Sequence, residues 1–143
     1  MTNTPDVNVF SLFAAAAQAN AERAFLIVDG QLLLTYGGML EQTGRAAAWL
    51  RSKGLQRGDR AIIQAHKSPA AVIFYLACLR AGVTFIPLNT AYQASELAYF
   101  LEDAEPSLLI ASAGLPGETV AFAGERAILT GDLQSAPWAE CAE

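Results

Sequence analysis

Charge is scarce in this sequence, and so are the residue types that most often carry catalysis. Only 16% of the residues are charged, against about 25% in an ordinary soluble domain. His66 is the single histidine, and no serine, cysteine or paired carboxylate stands beside it in a catalytic spacing, so a solvated loop histidine is set against a general base at that position. The nine lysines and arginines form no basic stripe, which argues against a nucleic-acid partner. Two cysteines, Cys78 and Cys141, lie far apart in no metal-ligand or redox spacing, so the default setting is reducing and cytoplasmic. No strand is followed by Gly-x-Gly-x-x-Gly, and Gly114 to Gly117 has neither the spacing nor the lysine of a phosphate loop. The apolar run from Ala70 to Leu88 is interrupted by Arg80, Gly82 and Pro87, which suits a helix-turn-strand better than a membrane span. Met1 to Asp6 carries no basic residue, so Phe10 to Ala19 makes a poor signal peptide.

What the chain does have is apolar mass. Hydrophobic residues make up 53% of it and 28 positions are alanine. Two compatible readings follow: an alanine-rich composition, or surface meant to lie against further protein. With 143 residues one domain or subdomain can bury a core, since a ~150-residue domain hides roughly 70% of its unfolded surface. Net charge is -5, unevenly spread: residues 1–95 hold 8 cations and 5 acids, residues 96–143 hold 1 and 9. The acidic end is either a solvated surface or the complement of a basic partner.

The stretch from Ser68 to Pro106 organises the rest. Ser68 can cap a helix and Pro69 fits its first turn. The helix is apolar on nearly every face, which requires cover on several sides, until Arg80 meets its C-terminal dipole and Gly82 ends it. Val83 to Ile86 reads as a strand stopped by Pro87. Upstream, Asn8 caps a first helix expected on the outside of the sheet. Ala24 to Val28 and Gln31 to Thr35 flank Asp29-Gly30 as a hairpin. Thr35 caps a second helix that ends at Gly54 with Arg51 and Lys53 in its last turn, and whose first turn should fray because Gly37 and Gly38 stand in it. Arg60 to Ala65 is a buried-type strand, Ala94 to Ala104 a helix with Leu97 and Leu101 on one face, and Ser107 to Ala111 another strand. Beyond it come a loop at Gly114 to Gly117, a short helix over Glu118 to Ala123, a last strand from Arg126 to Thr130, and a connector over 131–143. Strands alternating with helices imply a parallel sheet covered on both faces.

Three motifs then stand in order. Leu34-Thr35-Tyr36-Gly37-Gly38-Met39, Gly54-Leu55-Gln56-Arg57-Gly58-Asp59-Arg60 and Leu79-Arg80-Ala81-Gly82-Val83-Thr84-Phe85-Ile86-Pro87-Leu88-Asn89 resemble the opening core motifs of adenylate-forming enzymes. Leu88 to Tyr92, with Glu96-Leu97 and Phe100 to Pro106, is most similar to acyl-CoA synthetases of the malonyl-CoA synthetase type. Gly38 departs from the family's glutamate and Gln93 from its threonine cap. The resemblance covers roughly residues 8 to 130 and implies an α/β fold: a partial, doubly wound parallel-sheet N-terminal subdomain over residues 1–130, with a small hairpin near the N-terminus.

In that family a carboxylate is activated by ATP with Mg2+ to an acyl-adenylate, and the thiol of CoA displaces AMP. The segments that hold the phosphates, the adenine and the ribose, and the mobile-domain lysine, have no counterpart in residues 1–143. The resemblance therefore places no catalytic, cofactor-binding or metal residue here. The carboxyl ends of the strands, where a parallel sheet binds ligands, offer His66, Lys67 and Asn89, with Thr90 and Tyr92, all of which read equally as scaffold. The chain is thus expected to be an inactive N-terminal part of a cytoplasmic acyl-CoA synthetase, a fragment or truncated product. Its partners would be the remainder of the enzyme and, in the whole enzyme, a small carboxylic acid such as malonate. The alternative is a non-catalytic remnant acting as an interaction module.

Overall fold

The computed structural model describes residues 8–111, 127–130 and 136–142, with 127–130 as backbone alone. The loop expected at Gly114 to Gly117 and the helix expected over Glu118 to Ala123 lie outside the described residues. In chain order the elements are α1 (Val9–Gln18), β1 (Ala24–Val28), β2 (Gln31–Thr35), α2 (Tyr36–Ser52), β3 (Arg60–Gln64), α3 (Pro69–Ala81), β4 (Thr84–Pro87), α4 (Ala94–Ala104), β5 (Leu108–Ala111) and β6 (Ala127–Thr130).

The punctuation around α3 works as its residue types dictate. Ser68 Oγ accepts from the Ala71 N–H at 3.1 Å, and Pro69 sits in the first turn, where its missing N–H leaves nothing unpaired. Gly82 turns left-handed at φ +72, which lets the Val83 N–H close on the Cys78 carbonyl at 2.9 Å. The chain leaves this turn as β4, parallel to β3. Pro87 is the last residue of that strand rather than its stop, paired in register with Ile63. This is possible because β4 is an edge strand and needs no donor on its open side.

β5 then pairs with the other side of β3, and β6 with β5, all parallel. The order is β4-β3-β5-β6. Because β4 and β5 flank β3 on opposite sides, their helices cover opposite faces, and neighbouring residues of β3 serve different cores. Ala61 and Ile63 join Phe74, Ala77 and Leu50 on the α2–α3 side; Ile62 joins Leu97, Leu101 and Leu109 on the α4 side. Leu97 and Leu101 are 2% and 1% exposed, and each such side chain contributes about 1.5–3 kcal/mol by leaving water. The cover of α3 is incomplete, however: Val72 and Tyr75 remain exposed on one flank.

The turns of two of the motifs are built against each other. The Gly58 N–H donates to the Gly82 carbonyl at 2.9 Å, and the Thr84 N–H to the Asp59 carbonyl at 2.8 Å. Asp59 in turn accepts from the Gln56 N–H at 2.7 Å. A Cβ on Gly82 would fall 2.8 Å from Arg57 Cγ, so glycine is required there for close approach as well as for its positive φ.

Three local expectations need correction. α1 stands one layer further out than the sheet, packing on α2 and α3; Asn8 caps it and also donates Nδ2 to the Leu79 carbonyl at 2.7 Å, tying it to the end of α3. Arg80 does lie in the last turn of α3, but its guanidinium serves a different helix. It donates to the Leu40 carbonyl at 2.8 Å and to Thr43 Oγ1 at 3.3 Å, and it sits 5.5 Å over the Phe10 ring. One cation thus joins α1, α2 and α3. Finally, the first turn of α2 is held rather than frayed. The Tyr36 N–H donates to the Arg23 carbonyl at 3.0 Å, the Gly37 N–H to the Ala21 carbonyl at 2.8 Å, and the Gly38 N–H to Thr35 Oγ1 at 3.1 Å. The preceding turn supplies acceptors that the weak helix propensity of the two glycines did not disclose.

The hairpin of β1 and β2 is antiparallel and turns through Asp29 and Gly30, both at positive φ, as a primed turn requires. Phe25 and Leu34 reach the main core, while Ile27, Val28, Leu32 and Leu33 face water. Within the stretch expected to be a connector, Trp138 is 1% exposed. Its ring meets Trp49 at 6.4 Å and Phe74 at 5.9 Å, and the adjacent Ala139 carbonyl accepts from Arg45 Nη1 at 2.9 Å. Among the described residues, no helix is long and apolar enough to cross a membrane.

Candidate functional site

An open parallel sheet binds ligands outside the carboxyl ends of its strands, at the point where strand order reverses. Here that point lies between β3 and β5, and the described segments at the carboxyl ends of the strands are Ala65 to Ser68 after β3 and Leu88 to Gln93 after β4, the neighbouring strand. His66 and Lys67 are exposed. Ser68 Oγ is committed to the helix cap. None of the three is brought within hydrogen-bond reach of an acid, a base or a nucleophile among the described residues.

The loop after β4 is fastened from below by a residue the sequence reading did not single out. Gln64, the last residue of β3, is 9% exposed and points to the α4 side, as Ile62 does two residues earlier. Its Nε2 donates to the Asn89 carbonyl at 3.0 Å and to the Tyr92 carbonyl at 3.1 Å, which satisfies a buried amide in the only way a buried amide is tolerated. Asn89 Oδ1 accepts from the Ala91 N–H at 2.9 Å, and the Tyr92 N–H returns to the Asn89 carbonyl at 3.1 Å. The loop starts where the Leu88 N–H bonds the Ile63 carbonyl at 2.8 Å. Asn89 therefore shapes its own turn, and Thr90 is exposed beside it. A glutamine ending a β-branched strand was the available signal, because a polar residue in the α4-facing register of a doubly covered strand must find a partner.

Other features do not add chemistry to this end. A groove of about 610 Å3 runs past Asn8, Arg57, Arg80 and Gly82, at the amino end of β4 and away from the loops just described. Cys78 is fully buried in α3, and burial pushes its thiol from 9.0 up to about 12, so it stays protonated and inert. Among the described residues no group of three or more histidines, cysteines and carboxylates is placed to hold a metal ion. Among the described residues the arrangement fixes backbone and loops and supplies no acid–base pair.

A family profile described as AMP-binding enzyme matches residues 13–140. Tyrocidine synthase 3 of Brevibacillus parabrevis is 30% identical over 119 residues, which are 83% of this chain and 2% of that protein. The mitochondrial medium-chain acyl-CoA ligase ACSF2 of Rattus norvegicus is 38% identical over 90 residues, 63% of this chain and 15% of the ligase. The crystal structure of ATP-bound MatB from Rhodopseudomonas palustris superposes with a TM-score of 0.81 at 32% identity, over 94% of this chain and 28% of the MatB chain. The chain thus spans well under a third of each of these relatives.

Proposed function

Since the chain belongs to the AMP-binding enzyme family, we propose that it is the N-terminal subdomain of an acyl-CoA synthetase, residues 1–130 together with the Trp138 segment that packs into the same core. The parent reaction would be that of the family: ATP and Mg2+ activate a carboxylate as its adenylate, and CoA takes the acyl group. The observation that carries this reading is the likeness to MatB over 94% of the chain. The same likeness, with the Leu88 to Tyr92 loop and the Phe100 to Pro106 segment, favours malonate as the acid. Peptide synthetases match the sequence about as well as acyl-CoA ligases do, so the acid is the part of the proposal most exposed to test. A cytoplasmic setting accords with two unpaired cysteines, one of them buried.

In this reading the chain is scaffold. The described residues present exposed His66 and Lys67 but no glycine-rich cradle for phosphates, and charge building on a transferring phosphoryl group needs amides, cation and lysine held together. No step of adenylation runs through them. Purified 143-residue protein should give no carboxylate-dependent exchange of labelled pyrophosphate into ATP with malonate or with longer acids; exchange above background would refute the scaffold role and direct attention to His66, Lys67 and Asn89.

The exposed hairpin residues Ile27, Val28, Leu32 and Leu33 favour a second reading, an interaction module that works through its uncovered apolar face. That module would bind through the hairpin without ever needing the rest of an adenylating enzyme.

A further inference from the structure

We propose that the groove between Tyr92 and the outer face of α4 is a docking site for an arginine-bearing segment of a separate polypeptide. The groove, about 350 Å3, is bounded by Tyr92, Ser95, Glu96, Tyr99 and Phe100. Tyr92 stacks on Phe100 with centroids 5.6 Å apart and planes at 18°. Tyr99 meets the same ring edge-on at 5.4 Å and 76°. The inner face of α4 is already filled by Leu97 and Leu101, yet the two tyrosines remain 37% and 63% exposed. Two tyrosine rings, ordered against a half-buried Phe100 that packs on the α4-side core, therefore stand open to water.

A carboxylate is fixed at the same place. Glu96 Oε2 accepts from the Gln93 N–H at 2.8 Å and from Ser95 Oγ at 3.3 Å, so the first turn of α4 holds the acid still. Aromatic faces beside a positioned carboxylate recognise a cation, and a planar guanidinium meets both at once: it stacks on a ring and donates along its edge to the acid. Charge supports a partner from outside. α4 carries Glu96, Glu102 and Asp103 with no cation, and residues 96–143 hold nine acids against one cation. The ion pair found among the described residues, Arg45 with Glu41, lies on α2. This site is independent of the adenylating role and survives if that role is refuted.

The test is a titration of isotopically labelled 143-residue protein, followed through its backbone amide resonances. The titrant is acetyl-Gly-Arg-Gly-Arg-Gly-amide, with its citrulline and lysine counterparts as controls. The arginine peptide should shift amides of residues 92–100 saturably, the lysine peptide should bind several-fold more weakly, and the citrulline peptide should leave them in place. Tyr99→Ala and Glu96→Gln should each weaken binding by roughly two- to fivefold. Tyr99 lies on the surface, and glutamine can still accept from the Gln93 N–H, so both variants should remain folded, as unshifted amides in β3 and α3 would attest. Unchanged affinity in both variants, shifts spread over all surface acids, or shifts with citrulline would overturn the proposal. So would protection of residues 92–100 by self-association in the absence of peptide.

Discussion

Trp138→Ala is the substitution that most sharply separates an integral C-terminal stretch from a loose one. The indole is 1% exposed and sits between Trp49 and Phe74. Removing a buried aromatic of this size costs about 3–5 kcal/mol in transfer and cavity terms. One contribution runs the other way: Trp138 Nε1 is buried and has no hydrogen-bond partner among the described residues, and an unmade buried bond costs about 1–3 kcal/mol. The net loss for Trp138→Ala is then about 2 kcal/mol, a sizeable share of the 5–15 kcal/mol that holds a typical domain together. Trp138→Phe keeps a ring in contact with Phe74 and removes the stranded donor, so it should fall within about 1 kcal/mol of the parent. Urea unfolding followed by far-UV circular dichroism suits both variants, since fluorescence would lose one of its probes. Equal midpoints for the parent and Trp138→Ala would mean that residues 136–142 do not pack as described, and the reasoning would fail.

Arg80 should matter through what it reaches. Arg80→Met loses a charged donor to the Leu40 carbonyl and Thr43 and should destabilise by about 1.5–3 kcal/mol, whereas Arg80→Lys should recover part of this, as urea midpoints would read out. Cys78 should resist thiol reagents in the native protein, with Cys141 alone labelled until denaturant is added. Its pKa of about 12 lies above the unfolded value, so above pH 9 the unfolded chain sheds a proton that the native chain keeps; stability should fall with rising pH there, and Cys78→Ala should flatten the fall. On the hairpin, Ile27→Lys with Leu32→Lys should reduce binding of an apolar dye while leaving stability within about 0.5 kcal/mol, since neither side chain is buried. Undiminished dye binding would place the exposed patch elsewhere.

What could be read from the sequence was what short-range chemistry determines. Ser68, Pro69 and Gly82 bound α3 because caps and positive φ act within a few residues, and Asp29-Gly30 marked its hairpin for the same reason. β3, β4 and β5 were placed within a residue because each is a short apolar run between glycine or proline signals. Features that depend on partners distant in the chain stayed hidden. Gln64 bonds 25 and 28 residues away, Arg80 reaches back 40, and the Ala21 carbonyl meets the Gly37 N–H of α2 only after the α1–β1 turn has folded back. Trp138, in a stretch of turns and acids, carried no periodicity to betray its burial. The candidate site was legible as a location, the loops after β3 and β4, but not as a mechanism. What fastens the loop after β4 is a long-range amide contact from Gln64.

The central claim is that this chain serves as the N-terminal subdomain of an adenylating enzyme, and an exchange graft measures it most directly. The segment of Rhodopseudomonas palustris MatB that superposes on this chain would be replaced by it, and the purified, folded chimera assayed for malonate-dependent exchange of labelled pyrophosphate into ATP. Exchange well above that of the isolated 143-residue chain is the predicted result. A chimera that unfolds cooperatively, and so is folded, yet shows no exchange would contradict the account.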